Sequence, residues 1–357
     1  VVLVERSRAA CSGPGLCAIA ASIALGLAAL ACTPEGPRGA PSSSASSSAL
    51  ASSAVASEVS PAPPWPELPR TGEAARALLG ARARREATLA PAPPIDAALL
   101  LARAEAKGWS SLVAGEARIQ EQLQRALDTA TREGRDAYLV AGSYHDAPGQ
   151  IDAFRRLVGP TGLRGIELVA VEQLRATGAW SGAPSEAQRG DDRELEAFVE
   201  RGDLDAFARL AARHRESDYA AWKFGYEAKV LDLLLSARAT KTPLRGCDMP
   251  KETQALLGAL ADDERLRLRE LHCFLSLGAS TRPRRVALLW GQAHARPGAF
   301  RRFLPPDAAV ISLQLFGFRE GEGSAEHALR EQLALFDPLL VPLDDAGSEL
   351  ALLLPDG

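Results

Sequence analysis

At 357 residues, 46% hydrophobic and 5% aromatic, the chain has enough apolar material for one large core once its atypical N-terminal stretch is set aside. A net charge of -4 gives no basic footprint, so nucleic acid is excluded as an expected partner. The short clusters Arg282–Arg285 and Arg301–Arg302 are read first as solvated surface in an Arg-rich composition, with local anion binding as the alternative.

Residues 1 to about 31 read as an export signal: Arg6 and Arg8, then an apolar run from Leu16 to Ala31, then Cys32. The run is short for a bilayer crossing. Ala29-Leu30-Ala31-Cys32 resembles a bacterial lipoprotein cleavage site, with Cys32 as the residue to be lipidated, although Ala29 stands where Leu is usual. Residues 32–70 are rich in Ser, Ala and Pro, a composition that buries no core and serves as a tether. The expected location is therefore the cell envelope, on a membrane anchor facing the periplasm or exterior. Cys247 and Cys273 alone remain for the folded part, where two buried thiols are the first reading and a disulfide the second.

Residues 71–135 have helical periodicity, seen in Ala75, Leu78 and Leu79 and again in Ile119, Leu123 and Leu127, and are read as an N-terminal helical extension. From 136 to 357 short apolar runs alternate with longer helical patterns. Strands are expected at Ala137–Ala141, Gly165–Val171, Pro243–Gly246, Val286–Trp290 and Ala309–Leu315. Helices are expected at Ile151–Val158, Asp191–Arg201, Ala220–Ala237 and Thr253–Leu277, with Gly202 ending the second of them. This alternation predicts an α/β domain, a mostly parallel sheet covered by helices. In such sheets ligands gather at the carboxyl ends of the strands.

Two of the five histidines fall in matching places. One strand runs into Gly142-Ser143-Tyr144-His145-Asp146, another into Gly291-Gln292-Ala293-His294-Ala295-Arg296. Each has Gly at a strand end and His three residues on, which would turn both imidazoles toward one crevice. Glu172 at the close of the second strand and Asp248 after the third complete a His/carboxylate set. Such a set suits a divalent transition metal, or an acid/base pair if no metal binds. Tyr144 is a further candidate as a phenolate ligand to haem iron. Asp146 is read as a cap for the helix starting near Pro148, and Glu167 as a weaker mid-strand candidate on the face opposite Glu172. His214, His272 and His327 fall on helical stretches as core or surface residues, and Trp222 and Tyr226 as packing. Ser143 lacks the glycine elbow of a serine nucleophile.

In their order and spacing, Gly142-Ser-Tyr-His145-Asp146, Val171-Glu172-Gln173-Leu174, Trp222-Lys-Phe-Gly-Tyr226, Gly291-Gln-Ala-His294-Ala-Arg296 and Phe336-Asp337-Pro-Leu-Leu-Val resemble the ChaN-type haem-binding lipoproteins. These belong to the wider Tiki superfamily, with erythromycin-esterase-like hydrolases and TraB-type proteins. The resemblance covers about residues 110 to 343. It implies a ChaN/erythromycin-esterase-like α/β fold, a single site built from both Gly-x-x-His loops and a glutamate, and a role in iron uptake. Haem or a divalent transition metal is therefore expected at His145, Tyr144, Glu172, His294 and Arg296, with Asp248 as an added metal ligand; the resemblance implies the two histidine loops and the glutamate, and the reading of the residues adds Tyr144 and Asp248. A metal-dependent hydrolase using His145, Glu172 and His294 is the alternative. Ser143 stands where the family has Glu, and a further histidine of the first motif is absent, so an envelope protein with a degenerate site is the third reading. Whether two copies pair as a homodimer around the ligand is left open by the sequence.

Overall fold

The structure, a computed structural model, describes residues 69, 71–83, 95–144, 147–175, 193–194, 197–206, 209, 226–249, 258, 260–277, 284–295, 300–317, 323–336 and 338–354. The export signal, the tether with Cys32 apart from Pro69, and His145, Asp146, His214, Trp222 and Arg296 lie outside these residues.

Eight strands form one mixed, mostly parallel sheet: β1 (Val113–Ala114), β2 (Ala137–Ser143), β3 (Leu168–Arg175), β4 (Leu244–Asp248), β5 (Arg285–Gly291), β6 (Ala309–Gly317), β7 (Leu339–Pro342) and β8 (Glu349–Leu354). Their order is β1-β7-β8-β6-β2-β5-β3-β4. The pairs β1–β7 and β7–β8 are antiparallel and every other pair is parallel. This is an α/β fold, as the alternating pattern predicts. Every residue of β2 is buried, the consequence of a parallel strand covered on both faces.

Strand periodicity sorts the side chains. Leu139, Ala141, Val169, Val171, Leu289 and Leu313 point to one face, where they meet Ile119, Leu123 and Leu127 of α3 (Glu116–Arg132), Ile151 and Phe154 of α4 (Pro148–Val158), and Leu233 and Ala237 of α5 (Tyr226–Thr240). Tyr138, Val140, Ala170, Leu288 and Trp290 point to the other, against Cys273 and Leu277 at the end of α6 (Asp262–Ser276). On that same face, α2 (Ala97–Lys107) and α7 (Ser324–Phe336) cover Phe316, Leu339, Ala351 and Leu353. The first helix, α1 (Gly72–Arg82), buries Ala75 beside Leu268 and Leu271 of α6 and adds an Arg76–Glu264 ion pair at 2.9 Å. Among the described residues no helix is long and apolar enough to cross a membrane.

Several local expectations change. The span read as a purely helical extension also supplies β1, which the positive φ of Gly115 sets off from α3. The second strand starts at Leu168, so Glu167 is not mid-strand but precedes β3, exposed, while Glu172 lies inside the strand. The helix at Pro148 has Ala147 at its N-cap with no side-chain cap bond. The Arg clusters are partly internal ties: Arg285 binds Asp128, Thr131 and the Arg164 carbonyl, and Arg301 binds the Val310 carbonyl and Ser348.

Cys247 and Cys273 form a disulfide rather than two thiols, because β4 and α6 bring their Cα atoms to 4.4 Å, within bonding range. The bond closes a 26-residue separation. Changing both cysteines to Ala is expected to cost about 3 kcal/mol, read as a lower urea midpoint. An unchanged midpoint would show that the covalent tie adds no stability.

Candidate functional site

The chain leaves the carboxyl ends of neighbouring strands β2 and β5 in opposite directions. From β2 it travels past β5 to β3, and from β5 it travels past β2 to β6. That divergence is the switch point at which open α/β sheets form a crevice. Both Gly-x-x-His motifs begin there, with Gly142 paired to Trp290 and Ser143 to Gly291. Gly142 is required by space, since a Cβ would come within 2.7 Å of both the Ala295 Cβ and the Gln314 Oε1.

The β5 loop is held from three sides. The Gln292 N–H donates to the Ser143 carbonyl at 3.0 Å, and the His294 N–H donates to the Gly291 carbonyl at 2.9 Å. From β6, Gln314 Nε2 donates to the Ala295 carbonyl at 2.6 Å, and Ser312 Oγ donates to the same oxygen. The loop therefore holds His294 buried, with its imidazole stacked on the Trp290 ring at 4.2 Å between centroids.

Both edges of that imidazole face carboxyl groups. Nε2 lies 3.8 Å from Glu172 Oε1, and Nδ1 lies 3.4 Å from Glu270 Oε1. Glu172 reaches this place because period two turns it, with Ala170, toward α6. Its Oε2 accepts from the Gly291 N–H at 2.5 Å, and its Oε1 accepts from Arg269 of α6. Arg269 also donates to Asp248 Oδ1, through Nε at 2.9 Å, and the same oxygen accepts from the Met249 N–H at 2.8 Å. One guanidinium thus bridges two buried carboxylates from adjacent strands.

Glu270 is the electrostatic outlier. Burial pushes its carboxyl from an ordinary value of 4.5 up to about 8, against the opposing pull of Arg302, Arg267 and Arg269, which favours the protonated acid at neutral pH.

The structure brings together Glu172, His294 and, through Arg269, Asp248. Of Tyr144, it shows the backbone N–H donating to Gln150 Oε1 at 2.7 Å. His145 and Arg296 fall outside the described residues. His272 is buried in α6, and His327 is exposed on α7. Sequence reading missed Arg269, Glu270 and Trp290. The available signal was in α6, where Glu270 stands three and four residues before the buried or half-buried Cys273 and Phe274, on an apolar stripe where a carboxyl is out of place.

Among the described residues, no three His, Cys, Asp or Glu side chains are grouped as a metal site. His294 Nε2 and Glu172 Oε1 nonetheless fit two positions around one cation. A bare imidazole lone pair and a carboxylate oxygen 3.8 Å apart repel unless a proton or a cation lies between them. The pair fits a porphyrin less well, because His294 is only 2% exposed and its ring lies flat on Trp290.

The fold and site define an α/β protein with a buried His/carboxylate cluster at a switch point. No protein-family model and no curated protein matches the chain. Among solved structures it is similar to the type III effector HopBA1, at 13% identity over 66% of this chain and 94% of that chain, with a TM-score of 0.36. It is also similar to RRSP, a MARTX toxin effector domain from Vibrio vulnificus CMCP6, at 18% identity over 57% of this chain and 36% of that chain, with a TM-score of 0.34. At these scores neither likeness says anything about function.

Proposed function

We propose that this chain is an exported, lipid-anchored protein of ChaN type that binds a divalent transition-metal cation at His294 and Glu172. His145, from the partner Gly-x-x-His loop, is the third ligand in this reading. The observation that carries it is the approach of His294 Nε2 to Glu172 Oε1 at 3.8 Å, in a buried cluster at the switch point. Imidazole with carboxylate suits first-row cations of intermediate softness. Asp248 serves by holding Arg269 rather than as a ligand. Arg269 in turn fixes the Glu172 carboxylate before any cation arrives. Cys32 carries the lipid, residues 32–70 act as the tether, and the role is in metal or iron acquisition at the cell envelope.

A second reading, a hydrolase of the erythromycin-esterase-like type, is favoured by one feature. Burial favours the protonated form of Glu270 beside His294, and an acid held next to a potential base is what proton transfer at a bond-breaking centre requires. In that reading a bound cation would supply an activated water.

The test is calorimetric titration of the purified chain with manganese, zinc and iron(II), and separately with haemin, comparing wild type with His145→Ala/His294→Ala and with Glu172→Gln. Saturable one-to-one metal binding, lost in the double variant and weakened roughly 10-fold or more in Glu172→Gln, is expected. Stoichiometric haemin binding with a Soret band that needs His294 would replace the cation with haem. Binding that survives in the double variant would remove the site.

A further inference from the structure

An open cavity of about 350 Å³ lies at the end of the sheet opposite the crevice. It is lined by Arg125, Asp128, Thr131 and Arg132 of α3 and by Arg285, the first residue of β5. Gly291, at the crevice, ends the same strand, so the two places are about 20 Å apart along β5. Three guanidinium groups and one carboxylate meet in this cavity. Arg285 is fully engaged: Nη2 pairs with Asp128 Oδ1 at 2.8 Å, Nε donates to Thr131 Oγ1 at 2.9 Å, and Nη1 donates to the Arg164 carbonyl at 3.0 Å. Asp128 and Arg285 therefore offset each other, and Gln124 Nε2 donates to the same carboxylate oxygen at 2.8 Å.

Arg125 and Arg132 are left as two uncompensated positive charges. Among the described residues, Arg125 has no hydrogen-bond or ion-pair partner. Arg132 donates through Nε to the Asp128 carbonyl at 3.4 Å and through Nη2 to Thr129 Oγ1 at 3.1 Å, which leaves donors to spare among the five N–H groups of a guanidinium. The negative end of the α3 dipole accounts for a cation in the last turn, at Arg132, but does not reach Arg125, about two turns earlier. Among the described residues, no apolar side chain lines the cavity.

We propose that this cavity binds a phosphate dianion, either free or as the phosphomonoester of a small molecule or lipid headgroup, on Arg125 and Arg132, with Arg285 as its fixed third cation. Guanidinium forks match oxyanions two bonds at a time, and two of them balance two negative charges. A lining this polar selects a small charged ligand and offers an acyl chain or aromatic ring nothing to pack on. The site is independent of the cation reading at His294.

The test is calorimetric titration of the purified chain with inorganic phosphate in low-salt buffer, comparing wild type with Arg125→Ala/Arg132→Ala and with Arg103→Ala/Arg118→Ala. All four arginines are exposed, so unchanged melting temperatures are expected, and the second pair removes the same charge from outside the cavity. Saturable one-to-one binding is expected, weakened roughly 10-fold or more in the first pair and less than about 2-fold in the second. Flotation with phosphatidate and phosphatidylcholine vesicles separates the sources. An excess of wild type over the first pair on phosphatidate alone, without binding of free phosphate, assigns the ligand to a lipid headgroup. No binding in either arm, binding kept by the first pair, or equal loss in both pairs overturns the proposal.

Discussion

Replacing Arg269 with Met is expected to destabilise the fold by roughly 3–5 kcal/mol, the largest effect of any single change in the site. Glu172 and Asp248 are 3% and 1% exposed, come from neighbouring strands, and share this one guanidinium. With it removed, two buried carboxylates lose the guanidinium they share, and the loss exceeds the net worth of the ion pairs because buried negative charge is left with less to offset it. Adding Glu172→Gln and Asp248→Asn to the Arg269→Met chain removes that charge and is expected to restore most of the stability. Urea unfolding of the four combinations measures the coupling. If Arg269→Met costs less than about 1 kcal/mol, the cluster is solvated and its preorganising role is lost with it.

Glu270→Gln is expected to change how stability depends on pH. The folded-state value of Glu270, about 8, lies above its ordinary 4.5, so between those limits the folded protein keeps a proton that the unfolded chain has released. Stability then falls as pH rises through this window, and is free of the penalty below it, where both states are protonated. At about 1.4 kcal/mol per pKa unit, the full span is worth up to roughly 5 kcal/mol. Wild type should therefore lose more stability than Glu270→Gln between about pH 5 and pH 9 in paired denaturation curves. Parallel curves for the two proteins would mean that Glu270 is ionised in the fold. Glu349 is also raised by burial, but it is common to both proteins and cancels in the comparison.

What the sequence made legible follows the reach of local pattern. β2, β5 and β6 are apolar runs buried on both faces, so their positions could be read within a residue or two. Gly142 and Gly291 marked the two strand ends that meet, and at Gly142 the crowding that excludes a Cβ is what leaves that trace in the sequence. β1, with two residues, has no period to read, and β7 and β8 follow one another at the end of the chain as an antiparallel return that strand–helix alternation does not announce. Arg269 was invisible for a different reason. On a helix rich in arginine, nothing local distinguishes the one that turns inward to Glu172 and Asp248 from those that face solvent. That choice is made by tertiary packing, where carboxylates from β3 and β4 arrive together. The disulfide depends likewise on a β4–α6 approach that spacing alone does not fix.

Anomalous diffraction from crystals grown with zinc tests the central claim most directly. The account predicts a peak about 2.0–2.2 Å from both His294 Nε2 and a Glu172 oxygen, at the carboxyl ends of β2 and β5. A peak elsewhere, or none at saturating zinc while Glu172 stays bound to Arg269, would contradict it and leave the cluster as an internal brace of the sheet.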